Sequence, residues 1–512
     1  MRNALGRWIN AHFLLRIYSE DLGMNRPWAE LAGRVQLAWL ITICLFWSIS
    51  LALHPLDPGY TAGELLDHLQ GWMETGRLYP SIEGDGSLRV LNYPPIVLVL
   101  ARFLASLGIQ PLLAGRLVNG LGVILVLGVI GWWVQARGRD WAVSIGSLGL
   151  LGASVPFVYG TGQFRIEMWA VLGTVMGWAL MDRGRTGRAV LWAGVLLAMS
   201  CFVKQTQVVP SLVALIWVWK YRPTELRSIL FGYLGTGIAG VAAITLVWGF
   251  EPWRHMLIYT TGTYSLMNLG WQFLSHVAPW APLLSLAAYS VLRGRPEARS
   301  DPAWWYWCSA LVWSFSAVRS GSSSAYFLDL HLATVMLAGP ALFSAGGVLN
   351  GGGQASLEPP KPRRHRLLPW ILAFQVIAAD IAVGTVAWIN LSRVSAITGD
   401  LASICSEFPR SGPVLAEEAS IARACGRTPL IHPFIMTSLS QRGLWDASDF
   451  ETAVASGKIG TAVIGFDPRK PVTGAHADRW TLPVLYALRV APEHTAYHSG
   501  VWAVSWLSLI HI

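Results

Sequence analysis

Long apolar stretches constrain this chain more than any other feature of its sequence. A helix needs roughly 20 apolar residues to cross the hydrocarbon core of a bilayer. Stretches near that length occur at 36–54, 112–135, 141–160, 228–249, 271–292, 324–344 and 368–391, and shorter ones at 168–182, 188–203, 206–220 and 303–318. Only 13% of the residues are charged, whereas soluble domains carry about a quarter. We therefore predict an α-helical polytopic membrane protein with about 11 transmembrane helices.

The positions of Arg and Lys predict which ends of these helices face the cytoplasm. Basic clusters separate alternate apolar stretches, at the N-terminus and at residues 137–139, 183–188, 220–227, 293–299 and 361–366. Cytoplasmic loops carry such clusters, so the net charge of +9 indicates topology, and no nucleic-acid partner is predicted. The assignment requires the apolar piece 94–107 to be a half-length juxtamembrane helix, because a full crossing there would turn every later cluster outward.

This topology divides the chain into a membrane region and a soluble C-terminal domain. Residues 1–35 are predicted as a cytoplasmic segment with an amphipathic helix at 8–18. The transmembrane domain covers 36–394, with a large first outside loop at 55–111 and a Gly/Pro-rich cytoplasmic linker at 346–366.

Residues 395–512 alternate short apolar runs with helical patterns, which predicts a small extracytoplasmic α/β domain. Strands are expected around 413–416 and 461–465, and a helix around 447–455. Cys405 and Cys425 share this region, where an oxidising compartment permits a disulfide. An exported domain without an organellar signal fits the bacterial inner membrane, with the N-terminus cytoplasmic.

The first outside loop is acidic and holds two candidates for a catalytic base. Asp57 follows the first span, where a carboxylate could accept the proton of an attacking hydroxyl group; capping of a turn is the alternative. Residues 63–78 have the spacing of a helix with one apolar face. Glu64, Asp67 and Glu74 are expected on its solvated face, although Glu64 lies near enough in sequence to be the base instead of Asp57.

Three cations interrupt apolar sequence near predicted outside ends of spans: Arg165, Lys204 and Arg319. Charge at this depth is costly unless it meets a partner. Together they could hold a phosphate group; the alternatives are snorkelling to the interface and an ion pair of Arg165 with Glu167. Four residues of the same motifs are candidate substrate contacts: Tyr93, Glu167, Gln205 and Tyr326.

Several short motifs in a fixed order carry a family resemblance. They are Gly76-Arg-Leu-Tyr-Pro80, Tyr93-Pro-Pro-Ile96, Phe164-Arg-Ile-Glu167, Phe202-Val-Lys-Gln-Thr206 and Ala325-Tyr-Phe-Leu328. Over residues 36–345 the chain resembles the GT-C superfamily of polytopic glycosyltransferases, relatives of the protein mannosyltransferase and aminoarabinose transferase groups. Two features depart from the common pattern: the acids of the first loop are not adjacent, and Glu167 stands where Asp is usual.

The resemblance implies inverting transfer of a sugar from a polyprenyl-phosphate donor to a glycan, lipid or protein acceptor outside the cytoplasm. It also implies a catalytic acid near the start of the first loop, which matches Asp57. No metal or other cofactor is predicted, although a divalent cation could bind the acidic loop. Two other functions remain open: a membrane transporter or lipid flippase, and a non-catalytic cell-envelope assembly protein. In the C-terminal domain, Glu417, Glu418, His432 and His476 are expected to be solvated.

Overall fold

The computed structural model describes most of the chain. The described residues are 26–57, 59–82, 88–137, 141–184, 186–260, 264–292, 299–319, 322–343, 368–409, 414–459, 461–472, 474–490, 494–499 and 501–505. The predicted amphipathic helix at 8–18 and the predicted linker at 346–366 lie outside these ranges.

Every apolar stretch of the sequence contains a helix. The longer helices of the membrane region are Arg26–Ala52, Tyr60–Thr75, Ile96–Ser106, Pro111–Ala136, Trp141–Gly149, Val155–Thr161, Glu167–Arg183, Gly187–Cys201, Val208–Tyr221, Leu226–Trp248, Leu266–His276, Ala281–Leu292, Pro302–Ser314, Leu328–Phe343 and Leu368–Gly399. Within the described ranges, four helices are long and apolar enough to cross a membrane singly: Glu30–Ala52, Pro111–Ala136, Pro223–Trp248 and Ala373–Gly399. The remaining helices are shorter or broken, so the predicted count of about 11 spans is not confirmed.

Two of the predicted spans are broken, each at a sequence signal. The pair Trp141–Ala153 and Val155–Thr161 bends by 85°, where Ser154 is extended and caps the second helix by accepting from the Phe157 amide at 3.3 Å. The stretch 271–292 is interrupted by a 3-10 turn at Ala278–Trp280 that contains Pro279. Proline and capping serine both favour a helix start, which explains why these apolar runs do not form single helices.

Small residues bring two neighbouring helices into contact. A Cβ atom at Gly232 of Leu226–Trp248 would lie 2.2 Å from the Leu191 carbonyl oxygen, and one at Gly194 would lie 2.3 Å from that of Ile229. Glycine at these positions therefore permits the close backbone approach that is typical of membrane helix pairs.

Contacts between helix ends define two opposite faces of the bundle. At one face Arg137 forms ion pairs with Asp182 and Asp301, and Arg222 donates to the Gly184 carbonyl at 2.6 Å. Arg137, Arg183 and Arg222, which the sequence predicts to be cytoplasmic, thus lie at one end of the bundle, which we call the basic face. At the opposite end, Arg116 and Gln205 contact the first loop, and the C-terminal domain contacts that loop in turn; we call this the site face.

The two helices predicted in the first loop are confirmed. The helix Tyr60–Thr75, here called the loop helix, buries Leu65, Leu66, Leu69 and Trp72 as its periodicity predicts. The piece predicted at 94–107 is a half-length helix, Ile96–Ser106, which begins after Pro95.

The C-terminal domain is the predicted α/β unit. Its strands are β1 (Leu415–Ala416), β2 (Thr461–Ile464), β3 (His494–His498) and β4 (Val501–Ser505), in the order β1-β2-β4-β3. β1 and β2 are parallel and the other pairs are antiparallel. Its helices are Leu401–Glu407, Ala419–Ala424, Pro433–Gln441, Ser448–Ala455 and Leu482–Val490. A disulfide joins Cys405 to Cys425, as the sequence allows.

Candidate active site

Asp57, one of the two candidate bases, is held in a buried ion pair. Its Oδ1 atom accepts from Arg116 Nε at 2.9 Å and Nη2 at 2.7 Å. Its Oδ2 atom accepts from the Phe164 amide at 2.8 Å. Arg116 also donates to three carbonyl oxygens at the end of the first helix, those of Leu51, His54 and Leu56. The two carboxylate oxygens thus join the first loop to the helix that holds Arg116 and to the segment at Phe164. The lone pairs that face Arg116 cannot receive a substrate proton.

Arg165 and Lys204 converge on one carboxylate. Arg165 donates from Nε and Nη2 to Glu167, each at 3.1 Å, so the ion pair considered from the sequence is present. Lys204 Nζ donates to Glu167 Oε1, also at 3.1 Å. Glu167 begins the helix Glu167–Arg183, and Lys204 follows the helix Gly187–Cys201. The charges of Arg165, Glu167 and Lys204 therefore lie together at the site face, and they sum to +1.

A small cavity lies beside this ion-pair cluster. It is lined by Glu167, Lys204, Gln207, Trp313, Tyr326 and Asp329, among other residues. The Lys204 ammonium lies 5.6 Å from the Tyr326 ring centroid, within reach of a cation–π interaction. Two of the three ammonium hydrogens make no hydrogen bond among the described residues, so Lys204 retains donors for an anionic ligand.

Asp329 and Gln207 are wall residues of this cavity that the sequence patterns did not single out. The Asp329 carboxylate accepts from the Tyr306 hydroxyl at 2.7 Å and from Gln207 Nε2 at 3.1 Å. An Asp inside an apolar helix indicates a functional residue in a membrane protein, so the sequence alone could have identified Asp329.

Gln205 and Arg319 form hydrogen bonds to segments outside the ion-pair cluster. Gln205 Nε2 donates to the Asn92 carbonyl at 2.8 Å, which ties its turn to the first loop. The Arg319 carbonyl accepts from Asn268 Nδ2 at 3.0 Å. Within the part of the chain that the structure describes, no ion pair joins Arg319 to Glu167, and Arg319 does not line the cavity beside Lys204. A phosphate contact by Arg319 stays a prediction.

Two of the three acids of the loop helix are buried, so the expected solvated face is wrong for Glu64 and Asp67. Glu64 is 6% exposed and Asp67 is fully buried; the Glu74 side chain is 53% exposed. The C-terminal domain covers this side of the helix, with Arg423 Nε 2.6 Å from Asp67 Oδ1 and His432 Nε2 2.8 Å from Asp67 Oδ2. Burial would raise the pKa of Asp67, but the His432 hydrogen bond and nearby arginines hold it well below its usual range.

Glu64, the rival candidate base, lies beside this network with a free oxygen. Burial raises the pKa of its carboxyl to about 7, against the lowering effects of His432, the Tyr60 hydroxyl and Arg479. Oε1 has no hydrogen-bond partner among the described residues. A carboxyl whose pKa lies near neutrality with an unused oxygen has the properties of a general base.

Tyr93 lies between the two charged clusters. Burial raises the pKa of its phenol, and the charges of Glu167, Arg165 and Glu64 all act on it. Its backbone carbonyl accepts from the Tyr79 hydroxyl at 2.8 Å, which fixes this part of the first loop. The residue therefore lies within electrostatic range of both the candidate base and the ion-pair cluster.

The expectation of solvated side chains in the C-terminal domain is wrong for Glu417, Glu418 and His432, whereas the His476 side chain is 33% exposed. Glu417 accepts from Arg479 at 2.8 Å and from the Gly465 amide at 2.6 Å, and it contacts His476. Glu418 accepts from Arg393 at 2.8 Å. His432 is fully buried. His432 and its partner Asp67 lie 365 positions apart, and no sequence pattern in a single chain indicates such a pairing.

Comparison with known proteins identifies this architecture. No family model matches the chain, and no curated protein matches it by sequence. The fold is shared with ArnT from Cupriavidus metallidurans, of which two crystal structures match. The apo structure matches with a TM-score of 0.58 and 14% identity over 92% of this chain and 97% of that one. The structure bound to undecaprenyl phosphate matches with a TM-score of 0.59 and 14% identity, over 91% and 97%.

Proposed function

We propose that this protein is a membrane glycosyltransferase that moves a sugar from a polyprenyl-phosphate donor to an acceptor at the site face. The observation that carries the proposal is the placement, within one ArnT-like fold, of a near-neutral carboxyl and a net-positive cluster on the same side of the helix bundle. An ArnT structure with this fold contains undecaprenyl phosphate, which supports a lipid-phosphate donor.

Lys204 is the proposed phosphate contact. Its unused ammonium hydrogens border the cavity beside Glu167 and Tyr326. Arg165 supplies a second positive charge, while Glu167 holds both cations in place. Because the reaction releases a phosphate that gains negative charge as the sugar departs, a preorganised cation stabilises the transition state more than the ground state.

Glu64 is the proposed general base, and Asp57 has an organising role. Glu64 has a free oxygen and a pKa of about 7, whereas the Asp57 oxygens are held by Arg116 and Phe164. The acceptor oxygen attacks the anomeric carbon from the side opposite the phosphate, which inverts its configuration. Tyr93 and Tyr326 are proposed to contact the substrate, and the acceptor is a glycan, lipid or protein.

The proposed location is the bacterial inner membrane, with the basic face and N-terminus in the cytoplasm and the site face outside. The arginines of the basic face agree with the positive-inside rule. The proposed reaction requires no cofactor, and binding of a divalent cation by the first loop stays a prediction.

The test is transfer of labelled sugar from a panel of polyprenyl-phosphate sugars by the purified chain, with cell-envelope extract as the acceptor source. We expect Glu64→Gln and Lys204→Ala to fold and to lose most turnover. Glu74→Gln on the same helix and Lys220→Ala, whose ammonium lies against Tyr221 and Trp305, are the matched controls and should keep it. Absence of transfer from every donor would overturn the proposal.

A further inference from the structure

His432 brings the C-terminal domain into contact with the candidate base. Its imidazole lies between two carboxylates of the loop helix, with Nε2 2.8 Å from Asp67 Oδ2 and Nδ1 3.8 Å from Glu64 Oε1. The Asp67 contact is a full hydrogen bond, and the Glu64 contact is longer than one. Nδ1 and Oε1 are both buried and have no hydrogen-bond partner among the described residues. Two unpaired buried polar atoms that face each other require an explanation.

The backbone fixes this imidazole from both sides. The His432 amide donates to the Leu88 carbonyl of the first loop at 2.9 Å. Two residues further along, the Phe434 amide donates to the Tyr60 hydroxyl at 3.0 Å. Because the first loop and the C-terminal domain share these bonds, the distance from Nδ1 to Glu64 is set by the fold rather than by a flexible side chain.

Other charged and titratable groups surround this arrangement. Arg89 and Arg423 bind Asp67, and the His68 ring packs edge-on against His432 at 4.9 Å between centroids. The remaining groups that act on Glu64 or His68 are Tyr60, Arg479 and His255. Asp67 is thus held as a carboxylate, so it can stabilise positive charge on the imidazole.

We infer that His432 is a positioning and proton-accepting partner of Glu64, so that the C-terminal domain completes the catalytic site; this inference rests on the proposed glycosyl transfer. The acceptor oxygen bonds to the anomeric carbon while the bond from that carbon to the phosphate oxygen breaks, and the phosphate leaves with the electron pair. The acceptor proton passes to Glu64 and then to Nδ1 of His432. The resulting imidazolium donates through Nε2 to Asp67, and the proton is later lost to water.

The test compares His432→Gln with His498→Gln in the purified full-length chain. His498 is the matched control because it lies in the same domain and also contacts a glutamate, Glu407, at 3.2 Å. We expect His432→Gln to lower kcat by about 10- to 100-fold, within the usual range for acid–base assistance, with an unchanged KM for the donor. The imidazole of His432 lowers the pKa of Glu64, so its removal should raise that pKa and move the acid limb of the kcat/KM profile to higher pH.

A second comparison separates a proton-transfer role from a structural one. In the Glu64→Gln background, the His432→Gln change should cost no further turnover, because the imidazole acts through Glu64. An equal loss in both backgrounds, or an unmoved acid limb, would overturn the inference.

A titration distinguishes failure of the inference from failure of the proposed function. NMR of histidine-labelled protein should show that Glu64→Gln changes the titration of His432 but not that of His498. An unchanged His432 titration contradicts the pairing even if the enzyme transfers no sugar, whereas absent transfer with a changed titration overturns only the proposed reaction.

Discussion

Replacing Asp57 with Asn should destabilise the protein far more than it slows the chemistry. The Asp57 side chain is fully buried, and the Arg116 side chain is 7% exposed. The substitution removes the negative charge but leaves the guanidinium buried against three carbonyl oxygens. Loss of one member of a buried ion pair costs about 3–5 kcal/mol. By contrast, burial already disfavours the charged form of Glu64, so its replacement by the neutral amide of Gln should cost below about 1 kcal/mol.

The assay measures unfolding of both variants in detergent with increasing denaturant and, separately, turnover per folded molecule. Asp57→Asn should show the large loss of unfolding free energy and retain most turnover in its folded fraction. Glu64→Gln should keep nearly all of its unfolding free energy and lose most turnover in its folded fraction. If Asp57→Asn were as stable as the native chain but inactive, Asp57 would be the base and the assignment of roles would be refuted.

Three further predictions concern pH, packing and the disulfide. Because burial raises the pKa of Glu64 to about 7 and the base must be ionised, kcat/KM should rise with pH through that value; a profile flat to pH 5 would contradict this. At Gly232 even an added Cβ atom would lie 2.2 Å from a carbonyl oxygen, so Gly232→Val should strongly lower the temperature of thermal unfolding. At Gly235 an added Cβ atom would meet no atom within 4 Å, so Gly235→Val should leave that temperature unchanged. Replacing Cys405 with Ser opens a loop of sequence separation 20 and should cost about 3 kcal/mol, measured as reduced resistance to denaturant; an unchanged midpoint would contradict it.

The helices of the membrane region could be predicted because their signal is local. Apolar runs bounded by basic residues identify helices at all the predicted positions, and the half-length helix Ile96–Ser106 follows from the charge pattern of later loops. The breaks at Ser154 and Pro279 were not predicted, because an apolar run with a capping serine or a proline is also compatible with a kinked span.

The site was predictable only in part. Arg165 and Lys204 were found because charge is costly inside apolar sequence, and both do meet a partner, Glu167. The burial of Asp67 and His432 could not be found this way, since an amphipathic helix looks the same whether water or another domain covers its polar side. Such a distinction depends on contacts between residues that lie hundreds of positions apart.

The same limit applies to the first loop. The sequence favours Asp57 over its rival Glu64 as the base, but what distinguishes the two lies in their partners: Arg116 for Asp57, and for Glu64 a buried oxygen without a hydrogen-bond partner among the described residues. Arg116 itself gave no signal, since a single Arg near the start of a membrane helix is common at the interface.

The most direct test of the account is the affinity of the purified chain for undecaprenyl phosphate. A charge-assisted hydrogen bond from Lys204 contributes about 1.5–3 kcal/mol, so Lys204→Ala should weaken binding by roughly 10- to 100-fold while Lys220→Ala on the basic face leaves it unchanged. Equal affinity of the native chain and both variants would contradict a lipid-phosphate site at Glu167, Arg165 and Lys204.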